Sequence, residues 1–414
     1  MAVQLSNVTN ALKKVILPYV QDNFPKQTIL LDQVKRNAGV TFMNNYFYAP
    51  IRSSRHSGVV NLADDGNNLV TGKAGIEQAE VAVKIITGTF DITKLTLDAT
   101  KTAKGAVENM LTFQATTLAS DFARGVNRQL FSDGVGVIAQ CSGSVGEGTL
   151  TVEAMDANVD DTRTDTWYGT INGDISPTKY LSVGQPIGIG TAGADLGTIA
   201  SITGNTVVVT GAPAIADYDS IYLVDGSGEG AGTSEIQGMR AALSDSTGTS
   251  EYAGLARSTH GWTPQLGTVA EALTLSKMED KYIAAKEYAQ MGDRYAIFVN
   301  KTLYKKYGDI LTSMRRTVNE TELLGGWTGL EFAAGAGRVG VFLDYDVPDG
   351  EVLIVNLDSW TLTQVSDLGW LENPESGSLV RQTNTIMYQA TMVWFANAMC
   401  LCPAANGRLC QKTD

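Results

Sequence analysis

The sequence predicts an α+β protein built in several parts rather than as one compact unit, and three observations carry that reading. The chain has 414 residues, 43% hydrophobic and 18% charged. That is a globular composition too apolar for a disordered chain, and at about 100–200 residues per domain the length suggests two to four units. Stretches of helical period are interspersed with short β-branched runs, the pattern of helices mixed with antiparallel strands. The net charge of −13 is also unevenly spread: residues 1–60 carry +5, whereas residues 136–235 carry −11. One region suits a polyanion and the other repels it.

The elements follow in order. Residues 1–44 read as an arm, with short helical pieces over 5–37 broken at Pro18 and Pro25 because proline removes a helical donor. Residues 45–97 read as a long two-stranded excursion. Aromatic and polar residues alternate over 44–50, a strand-like pattern resumes over 78–97, and the tip at 63–75 is too polar to bury. From Thr102 to Phe131, Ala103, Ala106, Val107, Met110, Leu111, Leu118, Phe122, Val126 and Leu130 recur on one stripe. This predicts a single helix of roughly 45 Å.

Residues 136–235 hold seventeen glycines and β-branched runs such as 206–210 and 220–224, which predicts a small all-β insertion. Residues 236–357 bring helices at 236–243, 273–291 and 302–316, with strands at 295–300, 339–343 and 352–357. A strand at 360–365, a polar loop at 367–378, a long apolar β-segment at 379–402 and a polar tail at 403–414 complete the chain. No internal repeat is visible.

Few residues suggest chemistry. No apolar run approaches the ~20 residues of a membrane span, and the start lacks a signal peptide's basic cluster and apolar stretch. Cys141, Cys400, Cys402 and Cys410 are too sparse for a disulfide framework, and with only His56 and His260 the C-x-C pair lacks the ligands of a zinc site. Gly188, Gly190 and Gly193 match G-x-G-x-x-G, but a strand rather than a helix is expected next, so the motif reads as turns and no cofactor is expected. The acid pairs Asp64/Asp65, Asp160/Asp161 and Asp344/Asp346 read as solvated turn residues. Trp167, Tyr168 and Tyr180 either stack on a ligand of the β-insertion or simply pack. Lys13, Lys14, Lys26, Lys35 and Arg36 either contact phosphates without reading sequence or form a solvated face.

The order of parts resembles that of the major capsid proteins of tailed bacteriophages, over nearly the whole chain. The segments ITKLTLDATK (92–101), IQGMRAALSD (236–245), EYAGLARSTHGW (251–262), VFLDYDVPDGEVLIVNLDSW (341–360) and TMVWFANAMCLCPAANGRL (391–409) carry the likeness. It implies the phage major capsid fold: an N-terminal arm (1–44), an extended loop (45–97), a peripheral domain with a long spine helix (98–135 and 358–402) and an axial domain (236–357). The all-β domain at 136–235 departs from the minimal pattern.

The implied role is a non-enzymatic subunit that self-assembles, as pentamers and hexamers, into an icosahedral shell around double-stranded DNA. The implied place is the virion, with assembly in the host bacterial cytoplasm. The implied partners are a separate scaffolding protein, a portal and a cement or decoration protein, with DNA bound non-specifically and no membrane. Arg52, Arg55 and Lys73 of the extended loop are expected at contacts between subunits, and the five arm cations at the inner surface. In one branch of the family an extended-loop lysine joins an asparagine of a neighbour. Lys73 and Asn373 have the right types, and the alternative is a solvated lysine and a turn asparagine. Two other readings remain: an encapsulin-type compartment of the same fold, and a ligand-binding β-protein with its site in 136–235.

Overall fold

The computed structural model describes residues 29–37, 39–61, 71–101, 110–142, 148–153, 178–190, 195–211, 219–224, 235–244, 250–268, 271–313, 320–323, 327–335, 337–371, 379–410 and 412–413. Among them two sheets, one closed barrel and a projecting hairpin dominate.

The first sheet has seven strands in the order Gln265–Gly267, Gly407–Leu409, Val352–Asn356, Tyr295–Val299, Gly337–Leu343, Trp327–Ala334 and Glu320–Leu323. Its central strand, Tyr295–Val299, is an unbroken buried apolar run because both faces are covered. Tyr295, Ile297 and Val299 point to one side, onto Met278 and Tyr282 of the helix Leu275–Lys286 and Leu303 and Tyr307 of the helix Lys301–Ser313. Ala296 and Phe298 point to the other, where Phe131 and Trp262 lie. Val352 and Ile354 divide from Leu353 and Val355 in the same way.

The second sheet, of six strands, is organised on Met387–Cys400. Lys84–Thr93 pairs with it from Met387↔Thr93 to Ala396↔Lys84. Trp360–Gln364, Gly369–Trp370 and Val380–Arg381 also pair with it, and Lys35–Arg36 adds a parallel strand beside Trp360–Gln364. Its inward side chains, among them Phe90, Ile92, Met392 and Trp394, are buried. The helix Met110–Phe131 packs here, with Phe122 and Trp394 ring centroids 6.5 Å apart. Gly88 permits the approach, since a Cβ there would lie 2.9 Å from Leu118 Cδ1.

Three expectations need correction. The strand-like pattern does not run to Leu97: the strand ends at Thr93 and a helix, Lys94–Lys101, begins at once. Thr93 Oγ1 accepts from Thr96 N at 3.2 Å, a helix-start cap that apolar spacing does not reveal. Of the single helix expected over 102–131, Met110–Phe131 is helical, and 102–109 lie outside the described residues.

The excursion is also shorter than 45–97. Among the described residues its strand ladder joins Tyr46–Arg52 to Ile76–Ala82, with Thr41–Met43 as a third strand. Asn397 Nδ2 donates to Ala82 O at 2.6 Å just where the chain leaves the hairpin for the second sheet.

The C-terminal segment is not a polar tail. Gly407–Leu409 inserts into the first sheet between Gln265–Gly267 and Val352–Asn356, and Lys412–Thr413 pairs with Glu271–Ala272. Arg408 is fully buried there because Glu351 meets its guanidinium at 2.7 Å.

Within 136–235, six strands close a barrel: Thr206–Thr210, Thr149–Glu153, Val137–Ser142, Ser220–Leu223, Pro186–Ile189 and Asp195–Thr203. It encloses its own core, which includes Ile138, Leu150, Val152, Ile187, Ile199, Val207 and Ile221. Gly188 lies in a barrel strand, and the next described element after the glycine motif is the strand Asp195–Thr203.

Candidate functional site

The first candidate surface is the hairpin. Near its base, alternation buries Phe47, Ala49, Ala79 and Val81 against Tyr252, Ala253 and Leu255 of the same chain, and Glu80 N donates to Ala253 O at 2.8 Å. Beyond Ile51 that cover stops. Val59, Val60 and Ile76 are 85%, 45% and 75% exposed, although apolar.

The arms stay together by polar contacts: Ser53 N to Gly75 O at 3.0 Å, Gly75 N to Ser54 Oγ at 2.7 Å and Lys73 N to Ser57 Oγ at 3.2 Å. At Gly72 a Cβ would collide with the Gly58 and Ser57 backbone, so this crossing demands glycine. Arg52, Arg55 and Lys73 are exposed on this hairpin. Arg52 Nε donates to Ser54 O at 3.1 Å.

The second surface is the described end of the arm. Lys35 and Arg36 lie in the short strand beside Thr361 and Leu362. Asn37 fastens it, donating from Nδ2 to Gln364 O at 3.0 Å and accepting from Gln364 N at 2.7 Å. Arg36 is exposed and 3.9 Å from Asp367, a pairing of little energetic consequence in water. Lys13, Lys14, Lys26 and Asn373 lie outside the described residues, as do Trp167, Tyr168, Asp64, Asp65, Asp160 and Asp161.

The third site is Asp344 and Asp346, which the sequence presents as solvated turn acids and the structure instead packs against other elements. The loop after Gly337–Leu343 folds beneath both the helix Met110–Phe131 and the barrel segment at 178–181, leaving Asp344 0% exposed. Asp346 Oδ2 accepts from Asn127 Nδ2 at 2.9 Å. Its Oδ1 accepts from Tyr180 Oη at 2.9 Å and meets Lys179 Nζ at 3.1 Å. Tyr180 is therefore a structural contact between the barrel and the body.

Arg128 of the helix pairs with Glu235, where the chain leaves the insertion. Burial, and then the neighbouring Asp346 carboxylate, push Asp344 up to about 7, while the Asp346 N–H, Asn127 and Lys179 pull the other way. The D-x-D spacing was visible in sequence, but the partners that make it a junction lie 164 or more residues away, beyond any local pattern.

Among the described residues no group of three or more His, Cys, Asp or Glu is placed to hold a metal ion. No helix among them is long and apolar enough to cross a membrane.

Comparison with known proteins places this architecture. The chain aligns with a capsid protein in the asymmetric unit of cyanophage A-1(L) over 99% of both chains, at 12% identity and a TM-score of 0.57. The capsid of a native GTA particle aligns over 99% of this chain and 100% of the other, at 10% identity and a TM-score of 0.48. A holo-encapsulin complex from Synechococcus elongatus aligns over 100% and 96%, at 8% identity and a TM-score of 0.47. No protein-family model and no curated protein sequence matches the chain. The chain has the fold of phage capsid proteins, a mixed α+β architecture.

Proposed function

We propose that this chain is the major capsid protein of a tailed phage, a structural subunit that forms an icosahedral shell around double-stranded DNA. The observation that carries this is the end-to-end match to a phage capsid subunit, 99% of each chain at a TM-score of 0.57. The hairpin supports it, because Val59, Val60 and Ile76 are exposed apolar side chains that a second subunit would cover.

In this reading Arg52, Arg55 and Lys73 meet acids of neighbouring subunits within pentamers and hexamers. The arm cations face packaged DNA, and the acidic barrel sits on the outer surface as a separate domain. A scaffolding protein, a portal and a cement protein are the expected partners, the virion is the location, assembly takes place in the host bacterial cytoplasm, and no enzymatic step is assigned. A covalent Lys73–Asn373 link is a further part of the proposal; denaturing electrophoresis of mature particles would show ladders that Lys73→Ala abolishes, and a single monomer band rejects it.

Negative-stain microscopy of the purified chain at high concentration, with and without co-expressed scaffold, tests the main proposal. Closed shells of uniform size are expected. A chain that stays monomeric under both conditions overturns it, and shells that close alone around a protein cargo favour the encapsulin reading.

A further inference from the structure

We infer that the root of the hairpin holds a binding site for a small apolar carboxylate, a ligand that bridges the hairpin to the body of the subunit. The binding does not depend on the capsid reading. A cavity of about 440 Å³ opens where three parts of the chain meet: the hairpin at 49–52, the turns at 260–262 and 288–291, and the segment at 401–402. That is the size of a small-molecule site.

Its walls are fixed by contacts that need no ligand. On the hairpin side, residues 49–52 are paired along the strand Ile76–Ala82, from Ala49↔Ala79 to Arg52↔Ile76. On the body side, Gly261 O accepts from Ala404 N at 3.1 Å, and Trp262 Nε1 donates to Tyr252 O at 2.9 Å. A cavity already in shape spares a ligand much of the cost of ordering its site.

The chemistry of the lining defines the ligand. Pro50 and Ile51 from the hairpin, with Met291 and Leu401 from the body, supply apolar surface. Met291 is 48% exposed, so a ligand lying on it removes apolar area from water. Arg52 on the hairpin wall supplies a positive charge, and His260 on the body wall an N–H donor. Among the described residues the Arg52 guanidinium makes one hydrogen bond, from Nε to Ser54 O at 3.1 Å, so its terminal nitrogens remain for a carboxylate.

Nothing described in the lining opposes an anion. In a chain of net charge −13, no Asp or Glu is among the described lining residues. Cys402 adds no negative charge either, because burial pushes its thiol up. Its Sγ lies 3.8 Å from Gly261 O and 3.9 Å from Tyr288 O, toward which a protonated thiol is a weak donor. A neutral apolar molecule leaves the arginine unused, and a purely ionic one leaves Met291 and Leu401 uncovered. The site belongs to the free subunit, before an acid of a neighbour meets Arg52.

Titration of the purified, unassembled full-length chain with cinnamate, followed by the methyl NMR signal of Met291, tests this. A saturable shift is expected. Cinnamamide, of the same shape without the charge, is expected to bind about tenfold more weakly, the consequence of losing a charge-assisted hydrogen bond. Arg52→Gln should weaken cinnamate by a similar factor and leave the amide unchanged. No saturable shift at millimolar cinnamate overturns the inference, as does unchanged cinnamate binding by Arg52→Gln. Equal binding of acid and amide by the natural chain also overturns it, and that comparison needs no variant to fold. A Met291 shift that follows protein concentration without any added cinnamate assigns the cavity to a second copy of the chain and overturns it as well.

Discussion

Arg408 and Glu351 lie 2.7 Å apart with neither side chain more than 1% exposed, and the same Glu351 oxygen also holds Arg240 at 2.6 Å. The three residues come from the C-terminal strand, the loop before Val352–Asn356 and the short helix Met239–Ala242, so one carboxylate joins distant parts of the chain around a shared core.

Removing that carboxylate leaves two fully buried guanidinium groups without the negative charge they share. Glu351→Gln is expected to lower stability by about 3–5 kcal/mol, the usual consequence of breaking a buried pair from one side. Replacing all three residues by apolar side chains of similar volume should cost far less, because no charge then remains to be desolvated. Urea unfolding of both variants is the measurement; a single variant no less stable than the natural chain contradicts the account.

The contact at Gly88 makes a second, steric prediction. The nearest atom to an added Cβ is Leu118 Cδ1 at 2.9 Å, followed by Phe122 at 3.4 Å. Gly88→Ala should be tolerated if the Leu118 side chain shifts, whereas Gly88→Val should lose about 1–3 kcal/mol by overpacking. Leu118→Ala should rescue much of the valine defect in a double-mutant cycle. Additive losses would mean that helix and strand do not meet here.

Much of this architecture is legible in the sequence, and the reasons are local. The run at 295–299 is apolar at every position because its sheet is covered on both faces, and Phe122, Val126 and Leu130 repeat at helical spacing because they share one buried stripe. What stayed hidden depends on partners far away in sequence. Gly407–Leu409 looks like a polar tail until Glu351 is placed against Arg408. Asp344 and Asp346 look like ordinary turn acids until Asn127 and Lys179 close over them. The hairpin's limits are not legible in the sequence because Lys84–Thr93 has the same alternating pattern as Ile76–Ala82 and differs in pairing with Met387–Cys400.

The hairpin prediction separates folding from assembly. Its base is buried on the same chain, whereas Val59, Val60 and Ile76 are exposed. Deleting 61–75 should therefore leave thermal unfolding of the subunit little changed while abolishing closed shells. Changing Arg52, Arg55 and Lys73 together to glutamate should slow assembly and alter its salt dependence, the signature of charges steering an association. Normal shells from the deleted chain would remove the loop from the assembly reading.

The last prediction concerns the arm and packaged DNA. Lys35 and Arg36 are fixed by backbone pairing at the edge of the second sheet, and the 3.9 Å approach of Arg36 to Asp367 is too exposed to occupy its charge. A phosphate contact releases condensed counterions, so each one should add about 0.9 to the slope of log affinity against log salt on duplex DNA. Neutralising Lys13, Lys14, Lys26, Lys35 and Arg36 should therefore flatten that slope and let DNA escape from opened particles at lower salt. Because phosphates carry no base information, the loss should be the same for DNA of any sequence. Filter-retention measurements across a salt series decide the matter: an unchanged slope would leave the arm with a structural part alone, to which its pairing with Trp360–Gln364 and the burial of Leu30 and Val34 contribute.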